Sequence, residues 1–278
     1  MAALNSPMIR LNSGYEIPQL GFGVFQVEPS ETERIVLDAL DVGYRHVDTA
    51  AAYRNEEAVG RAIASSGIPR SEIFVTTKLF REDHGYESAL RALPESLERL
   101  GLDYVDLYLI HWPAPARDVY VDSWRALEEM RDRGLARTIG VCNFMHEHME
   151  RLLAESSVVP AVNQIELHPA FQQREMREYQ EPLGIVTEAW GPLGQGKYDL
   201  AGIPELVAIA ERHGKTVQQV VIRWHLQEGT VLIPKTVRRD RMIENAAVFD
   251  FQLDPDEMSA IASTDRNLRV GPHPRERN

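Results

Sequence analysis

One cysteine, Cys142, is all that the 278 residues contain. No disulfide can form within the chain, and a reducing compartment is expected. Long hydrophobic runs are missing too: no apolar stretch approaches the length of a membrane span. Residues 1–14 lack the apolar core and small-residue cleavage pattern of a secretory leader. These absences predict a soluble, cytoplasmic protein. Positive charge is scarce, with 30 Lys and Arg against 42 Asp and Glu and a net charge of −12. That balance leaves no general basic face for nucleic acid. The sequence has no C-x-x-C or H-E-x-x-H spacing for a metal. No nucleophile–base pair of the Ser–His or Cys–His kind stands out. The G-x-G-x-x-G turn of a dinucleotide-binding open sheet is absent after the first strand.

What is present is a rhythm. Residues 8–11 and 16–18 flank Asn12-Ser13-Gly14 and read as a β-hairpin. After it, short β-rich runs alternate with amphipathic helices, and no segment has the composition of a linker. The runs cover 20–23, 46–49, 74–79, 105–111, 138–141, 162–167, 185–190 and 231–235. Ser30 and Glu33 have the spacing of a capping box before the apolar stripe Ile35, Val36, Ala39 and Leu40, which Gly43 ends. Further helices are predicted over 55–66, 86–100, 121–133, 146–155, 172–182, 204–213 and 216–228. Eight mostly apolar runs separated by helices predict parallel strands buried on both faces. At this length the pattern fits one α/β domain, residues 1–278, folded as a (β/α)8 TIM barrel whose N-terminal hairpin closes the bottom. A doubly wound open sheet is the competing fold.

In a barrel the C-terminal ends of the strands form one rim, where active sites sit. Asp48 ends the second run, with Tyr53 just beyond. Lys78 lies near the end of the third and His111 ends the fourth. Asn143 follows the fifth. Asn163, Gln164 and Glu166 lie in the sixth, Trp190 ends the seventh, and Lys235 and Thr236 end the eighth. Each has a plain alternative role. A lysine head can snorkel to solvent, an aspartate can cap a loop, and a lone histidine or tyrosine can sit satisfied in a core. Convergence of Asp48, Tyr53, Lys78 and His111 on one rim argues for chemistry. A phenol is too weak an acid alone; a neighbouring ammonium stabilises its anion, and a carboxylate keeps that ammonium charged. With a histidine to orient a carbonyl oxygen, the set suits proton donation to an oxyanion that forms as hydride arrives. Side chains cannot supply hydride, so a cofactor is required. The stretch 234–241, Pro-Lys-Thr-Val-Arg-Arg-Asp-Arg, is the densest basic run in an acidic chain. It follows the eighth strand and opens a helix, where barrels bind phosphate. Its cations suit a 2′-phosphate and hence NADPH/NADP+ over NADH.

These segments resemble the aldo-keto reductases along nearly the whole chain. The likeness is carried by residues 48–56 (DTAAAYRNE), 77–79 (TKL), 107–113 (LYLIHWP), 140–144 (GVCNF) and 234–241. Residues 163–169 and 190–200 are most similar to the bacterial 2,5-diketo-D-gluconic acid reductases. The resemblance implies that Tyr53 is the general acid, tuned by Lys78 and Asp48, and that His111 positions the carbonyl of a small-molecule substrate. It implies that Asn143 and Gln164, beside Cys142, hold the nicotinamide carboxamide while Trp190 stacks on the ring. Gly191, Pro192, Leu193 and Gly194 would pass along the pyrophosphate. Lys235, Thr236 and Arg241, with Val237 between them, would bind the 2′-phosphate, and Arg238, Glu244 and Asn245 would lie by the adenosine. Phe22, Phe80 and Trp112 would line the substrate mouth, and a C-terminal tail from Arg266 would fold across it. Cys142 stands where the family has Ser, Phe80 where Trp is common, Trp190 where Tyr is common, and Thr236 where Ser also occurs. A monomer is expected. Two other functions fit parts of the pattern: a cofactor-binding regulatory module, and a sugar-phosphate isomerase or aldolase using Lys78.

Overall fold

The tract Asn12-Ser13-Gly14 turns the chain back on itself, with Gly14 at φ +89°, a conformation open mainly to glycine. It pairs β1 (Met8–Arg10) antiparallel with β2 (Glu16–Pro18), Ile9 facing Ile17. The computed structural model describes residues 3–278. Eight strands follow: β3 (Phe22–Gly23), β4 (His46–Asp48), β5 (Phe74–Leu79), β6 (Val105–Ile110), β7 (Ala136–Cys142), β8 (Val162–Glu166), β9 (Val186–Trp190) and β10 (Val231–Leu232). Each pairs in parallel with its successor. The two ends of the sheet also meet. The Leu232 N–H donates to the Gln19 carbonyl at 2.9 Å, Gly21 to Leu232 at 2.8 Å, and Gly23 to Pro234 at 3.2 Å. That seam closes the (β/α)8 barrel and removes the open-sheet alternative.

Strand alternation sends side chains to two cores. Val47, Val75, Leu79, Tyr108, Ile110, Val141 and Ile165 face outward and pack with the helices. Phe74, Leu107, Leu109, Val162 and Val231 face inward, plugged from below by Leu11 and Ile17 of the hairpin. Each fully buried side chain of this kind contributes roughly 1.5–3 kcal/mol relative to exposure. The interior is already full beside β3: a Cβ on Gly21 would lie 2.5 Å from His46 Nδ1, and one on Gly23 would lie 3.0 Å from the Ile233 carbonyl.

The helices are α1 (Pro29–Val42), α2 (Glu56–Ser65), α3 (Tyr86–Leu100), α4 (Tyr120–Asp132), α5 (His146–Glu155), α6 (Arg174–Gln180), α7 (Pro204–His213), α8 (Val217–Gln227), α9 (Arg239–Ala246) and α10 (Pro255–Ala262). Three details differ from expectation. Ser30 does not cap α1, because Pro29, whose fixed φ suits the first turn, begins the helix one residue earlier and no side chain caps it. The eighth strand is shorter than expected because Pro234 has no N–H for the ladder. Helix α10 was not anticipated, although its signal is present. Asp254 accepts from the Glu257 N–H, Glu257 accepts in return from the Asp254 N–H, and Pro255 stands at the first helical position.

Candidate active site

Alternation along β5 places Phe74, Thr76 and Lys78 inside the barrel. Lys78 is wholly buried, which is rare for an ammonium without partners. Its Nζ donates to Asp48 Oδ1 at 2.6 Å, to the Thr49 carbonyl at 2.9 Å and, at the outer limit of a hydrogen bond, to the Tyr53 hydroxyl at 3.5 Å. Those three acceptors match its three protons. Tyr53 sits at the end of a single 3-10 turn (Ala51–Tyr53), which Arg54 closes in the left-handed region. The loop is tied down by buried Asn55, which accepts from Thr49 Oγ1 at 2.8 Å and donates to the Val24 carbonyl at 3.1 Å. The His111 ring meets the Tyr53 ring edge-on at 5.6 Å, and Trp112 stacks beside His111. The four residues expected to converge do so.

Burial and charge then set their protonation. Burial raises the Tyr53 phenol. Lys78 pulls the phenol down as expected, but burial outweighs it: the hydroxyl holds its proton, and Lys78 limits how tightly. Burial lowers the Lys78 ammonium, but Asp48 and Tyr53 more than offset this, and its net shift is upward. Burial also pushes Asp48 up, against Lys78 and Gln164. Burial, then Lys78, holds His111 well below the usual histidine range. It is a neutral imidazole at physiological pH, with one N–H to donate, and its Nδ1 has no hydrogen-bond partner among the described residues.

Beside this group lies an amide layer. Gln164 Nε2 donates to Asp48 Oδ2 at 2.8 Å and to Glu188 Oε2 at 3.0 Å, and its Oε1 faces the Cys142 thiol at 3.9 Å. Asn143, in the left-handed region at φ +62°, donates to the His111 carbonyl at 3.1 Å and accepts from Trp190 Nε1 at 2.8 Å. Trp190, half-buried at the end of β9, thus has its ring plane held. Beyond it, residues 191–194 form a tight turn, and a Cβ on Gly194 would lie 2.1 Å from the Tyr198 ring.

The second predicted cluster sits apart, where β10 leads into α9. Lys235, Val237 and Arg241 are exposed. Lys235 and Arg241 form no ion pair among the described residues. Thr236 Oγ1 accepts from the Arg238 N–H at 3.2 Å. Two members are already engaged: the Arg238 guanidinium pairs with Asp240, and Glu244 accepts from Thr216 Oγ1 at 3.0 Å. Asn245 is buried at 5% exposure.

Phe22 does not line the mouth. Gly21 and Gly23 take the inward positions of β3, so Phe22 points outward into the helix-packed core, 5.5 Å from the Tyr44 ring. The mouth aromatic from this segment is Phe25, 44% exposed with its ring 5.0 Å from that of Tyr53. The alternation of Gly21-Phe22-Gly23 was the available signal. Phe25→Ala is therefore expected to raise KM for the substrate with little loss of stability. Phe22→Ala should lower stability by about 3–5 kcal/mol. Denaturant melts and steady-state kinetics on the two variants check the assignment. Phe80 is half-buried and lines a cleft of about 390 Å³ whose other walls include Arg54, Glu56, Glu95, Arg99 and Tyr108, between α2 and α3 and apart from Tyr53 and His111.

The C-terminal tail crosses the mouth. Buried Glu166 accepts from the Val270 and Gly271 N–H groups at 2.6 and 2.9 Å. Arg275 pairs with Glu147 at 2.6 Å, Arg277 lies 6.0 Å over the Trp112 ring, and Asn278 accepts from the Ala116 N–H at 2.9 Å.

Residues 19–266 match the model of the Aldo/keto reductase family. The chain is 53% identical to an aldo-keto reductase of Mycolicibacterium smegmatis, over 98% of each chain. It is 47% identical to the methylglyoxal reductase DkgA of Escherichia coli, over 97% of this chain and 98% of the relative. Among solved structures, a single-residue variant of Gox0644 in complex with NADPH superposes with a TM-score of 0.93. That pair is 47% identical, over 98% of this chain and 99% of the other.

Proposed function

The chain belongs to the aldo/keto reductase family, and from that premise we propose that its mouth reduces small aldehydes and ketones with NADPH, Tyr53 acting as general acid. The observation that carries the reading is buried Lys78, held between Asp48 at 2.6 Å and the Tyr53 hydroxyl at 3.5 Å.

The site's residues fit the cofactor. Both N–H bonds of Gln164 are used on carboxyl groups, so its oxygen is left to accept from a carboxamide. Gly194 is required by the Tyr198 ring packed against it, and the backbone of residues 191–194 would pass along the pyrophosphate. Lys235 and Arg241, with Thr236, suit a phosphate, and α9 begins beside them. Asn143 and Gln164 would hold the carboxamide and Trp190 would cover the ring. Cys142 reaches only Gln164 and, as a weak donor, adds little. Arg238, Glu244 and Asn245 would border the adenosine. Bound NADPH supplies the hydride.

The chain's own residues do the rest. His111, neutral, donates a hydrogen bond to the carbonyl oxygen and turns it toward Tyr53. Tyr53 gives its proton to the oxygen as negative charge develops there. Lys78 stabilises the phenolate left behind, and Asp48 keeps Lys78 charged and in place. Phe25 and Trp112 form apolar walls that exclude water. Lys78 argues against the aldolase alternative. A nucleophilic lysine needs a lowered pKa, whereas this one is raised and has a partner for each proton. The intact tetrad argues against a regulatory module. All four groups come from one chain, as suits a monomer, and the lone buried thiol suits the cytoplasm.

NADPH oxidation followed by absorbance with methylglyoxal, glyoxal and simple ketones tests this reading; NADPH binding without turnover across the panel would overturn it. Lys235→Gly or Arg241→Ala should weaken NADPH binding by about ten- to a hundredfold, from loss of a charged hydrogen bond. NADH binding should change by less than about threefold on the same ground. Equal losses for both nucleotides would remove these residues from the 2′-phosphate.

A further inference from the structure

A second carboxyl group lies inside the barrel, and the chemistry above does not use it. Glu188 is fully buried in β9, directly across from Gln164 of β8 in the strand register. Its Oε2 accepts one of the two Gln164 N–H bonds at 3.0 Å, while Asp48 accepts the other at 2.8 Å. Its Oε1 has no hydrogen-bond partner among the described residues and lies 3.6 Å from His46 Nε2. A charged carboxylate so placed is costly, and one so close to Asp48 costs more.

We propose that Glu188 is a positioning residue for the reductase. By accepting from Gln164 as a neutral acid, it fixes the amide with its oxygen toward the cofactor side and leaves Asp48 as the single anion beside Lys78. The inference rests on the reading that Gln164 contacts the nicotinamide carboxamide.

The groups facing Glu188 are His46 and Asp48 from β4, Lys78 from β5 and Cys142 from β7, with Gln164 from β8. Burial, then Asp48, pushes Glu188 up to about 8. Burial holds His46 down at about 3 and raises the Cys142 thiol well above its usual range, so both are neutral around pH 7. Only Asp48 and Lys78 carry charge there, and they cancel. Without Glu188, one Gln164 N–H loses its acceptor and the bond to Asp48 alone opposes a flip of the amide; a flipped amide would present N–H where the carboxamide needs an acceptor. Ionised Glu188 would place a second negative charge against Asp48. That would draw on Lys78 and weaken its support of Tyr53.

The test is NADPH affinity, read by quenching of tryptophan fluorescence between pH 6 and 10, in the full-length protein and three variants. Gln164→Leu should weaken NADPH by about tenfold, the scale of one hydrogen bond. Glu188→Leu should weaken it by a similar factor, on the order of tenfold, at every pH. Glu188→Gln mimics the neutral acid. It should restore most of the affinity lost in Glu188→Leu and, in steady-state kinetics, remove the fall in kcat expected of the native protein as Glu188 ionises above about pH 8. Stability gives a second reading, independent of the cofactor. The folded value lies above the ordinary 4.5, so between 4.5 and about 8 the folded form holds the extra proton, and stability falls as pH rises through that window. Glu188→Gln should flatten this slope in thermal melts. If Gln164→Leu weakens NADPH while both Glu188 variants bind like the native protein at every pH, the positioning role is wrong and the cofactor reading stands. If Gln164→Leu itself binds normally, both fall.

Discussion

Tyr53→Phe is expected to lower kcat for carbonyl reduction by about 10²–10⁴-fold, the range that a positioned proton donor supplies. NADPH affinity should stay within about twofold, since the lost hydroxyl accepts only a long bond from Lys78, at 3.5 Å, and Lys78 keeps its two shorter ones. The phenyl ring keeps the packing against Phe25 and His111. Burial keeps the native phenol protonated over the whole neutral range. Reduction should therefore be nearly independent of pH there, while alcohol oxidation, which needs the phenolate, should rise with pH. Stopped-flow kinetics in both directions check this. Near-native turnover in Tyr53→Phe would remove it from the mechanism.

Lys78→Met should strike both activity and stability. It takes the cation from the phenolate, so kcat should fall by at least about 10²-fold. It also strands Asp48, which is buried, without its ammonium. Breaking such a pair from one side costs about 3–5 kcal/mol. The variant should denature at clearly lower denaturant than Tyr53→Phe, which leaves the pair intact. Adding Asp48→Asn to Lys78→Met should restore part of the stability and none of the activity, because a neutral amide no longer needs a counter-charge. Recovery of activity in the double variant would show that Lys78 serves only to neutralise Asp48.

Much of the barrel was legible because it is written in local chemistry. Runs such as 74–79 and 105–110 carry apolar residues on both faces, as strands covered on both sides do. Gly43 and Gly101 end helices by adopting the left-handed conformation. The catalytic four were legible because strand ends in a barrel share a rim, so one-dimensional position predicts proximity. What failed was direction. The sequence places Phe22 and Phe25 three residues apart, and the alternation of Gly21-Phe22-Gly23 is its one sign of which faces the mouth. The glycines on either side of Phe22 decide that, through the space His46 and Ile233 occupy inside the barrel. Glu188 was visible as an acidic residue inside an apolar run, but its partners on β4 and β8 come from elsewhere in the chain.

The order of strands and helices, the rim and the identity of its polar side chains were determined by the sequence itself, because periodicity, capping and turn chemistry act over a few residues. The tertiary structure alone decided protonation and orientation: that the phenol keeps its proton, that one amide bridges two carboxyl groups, and that the tail is pinned across the mouth by Glu166. Those outcomes depend on desolvation and on contacts between residues as far apart as Asp48 and Gln164, and neither quantity exists until the barrel has closed.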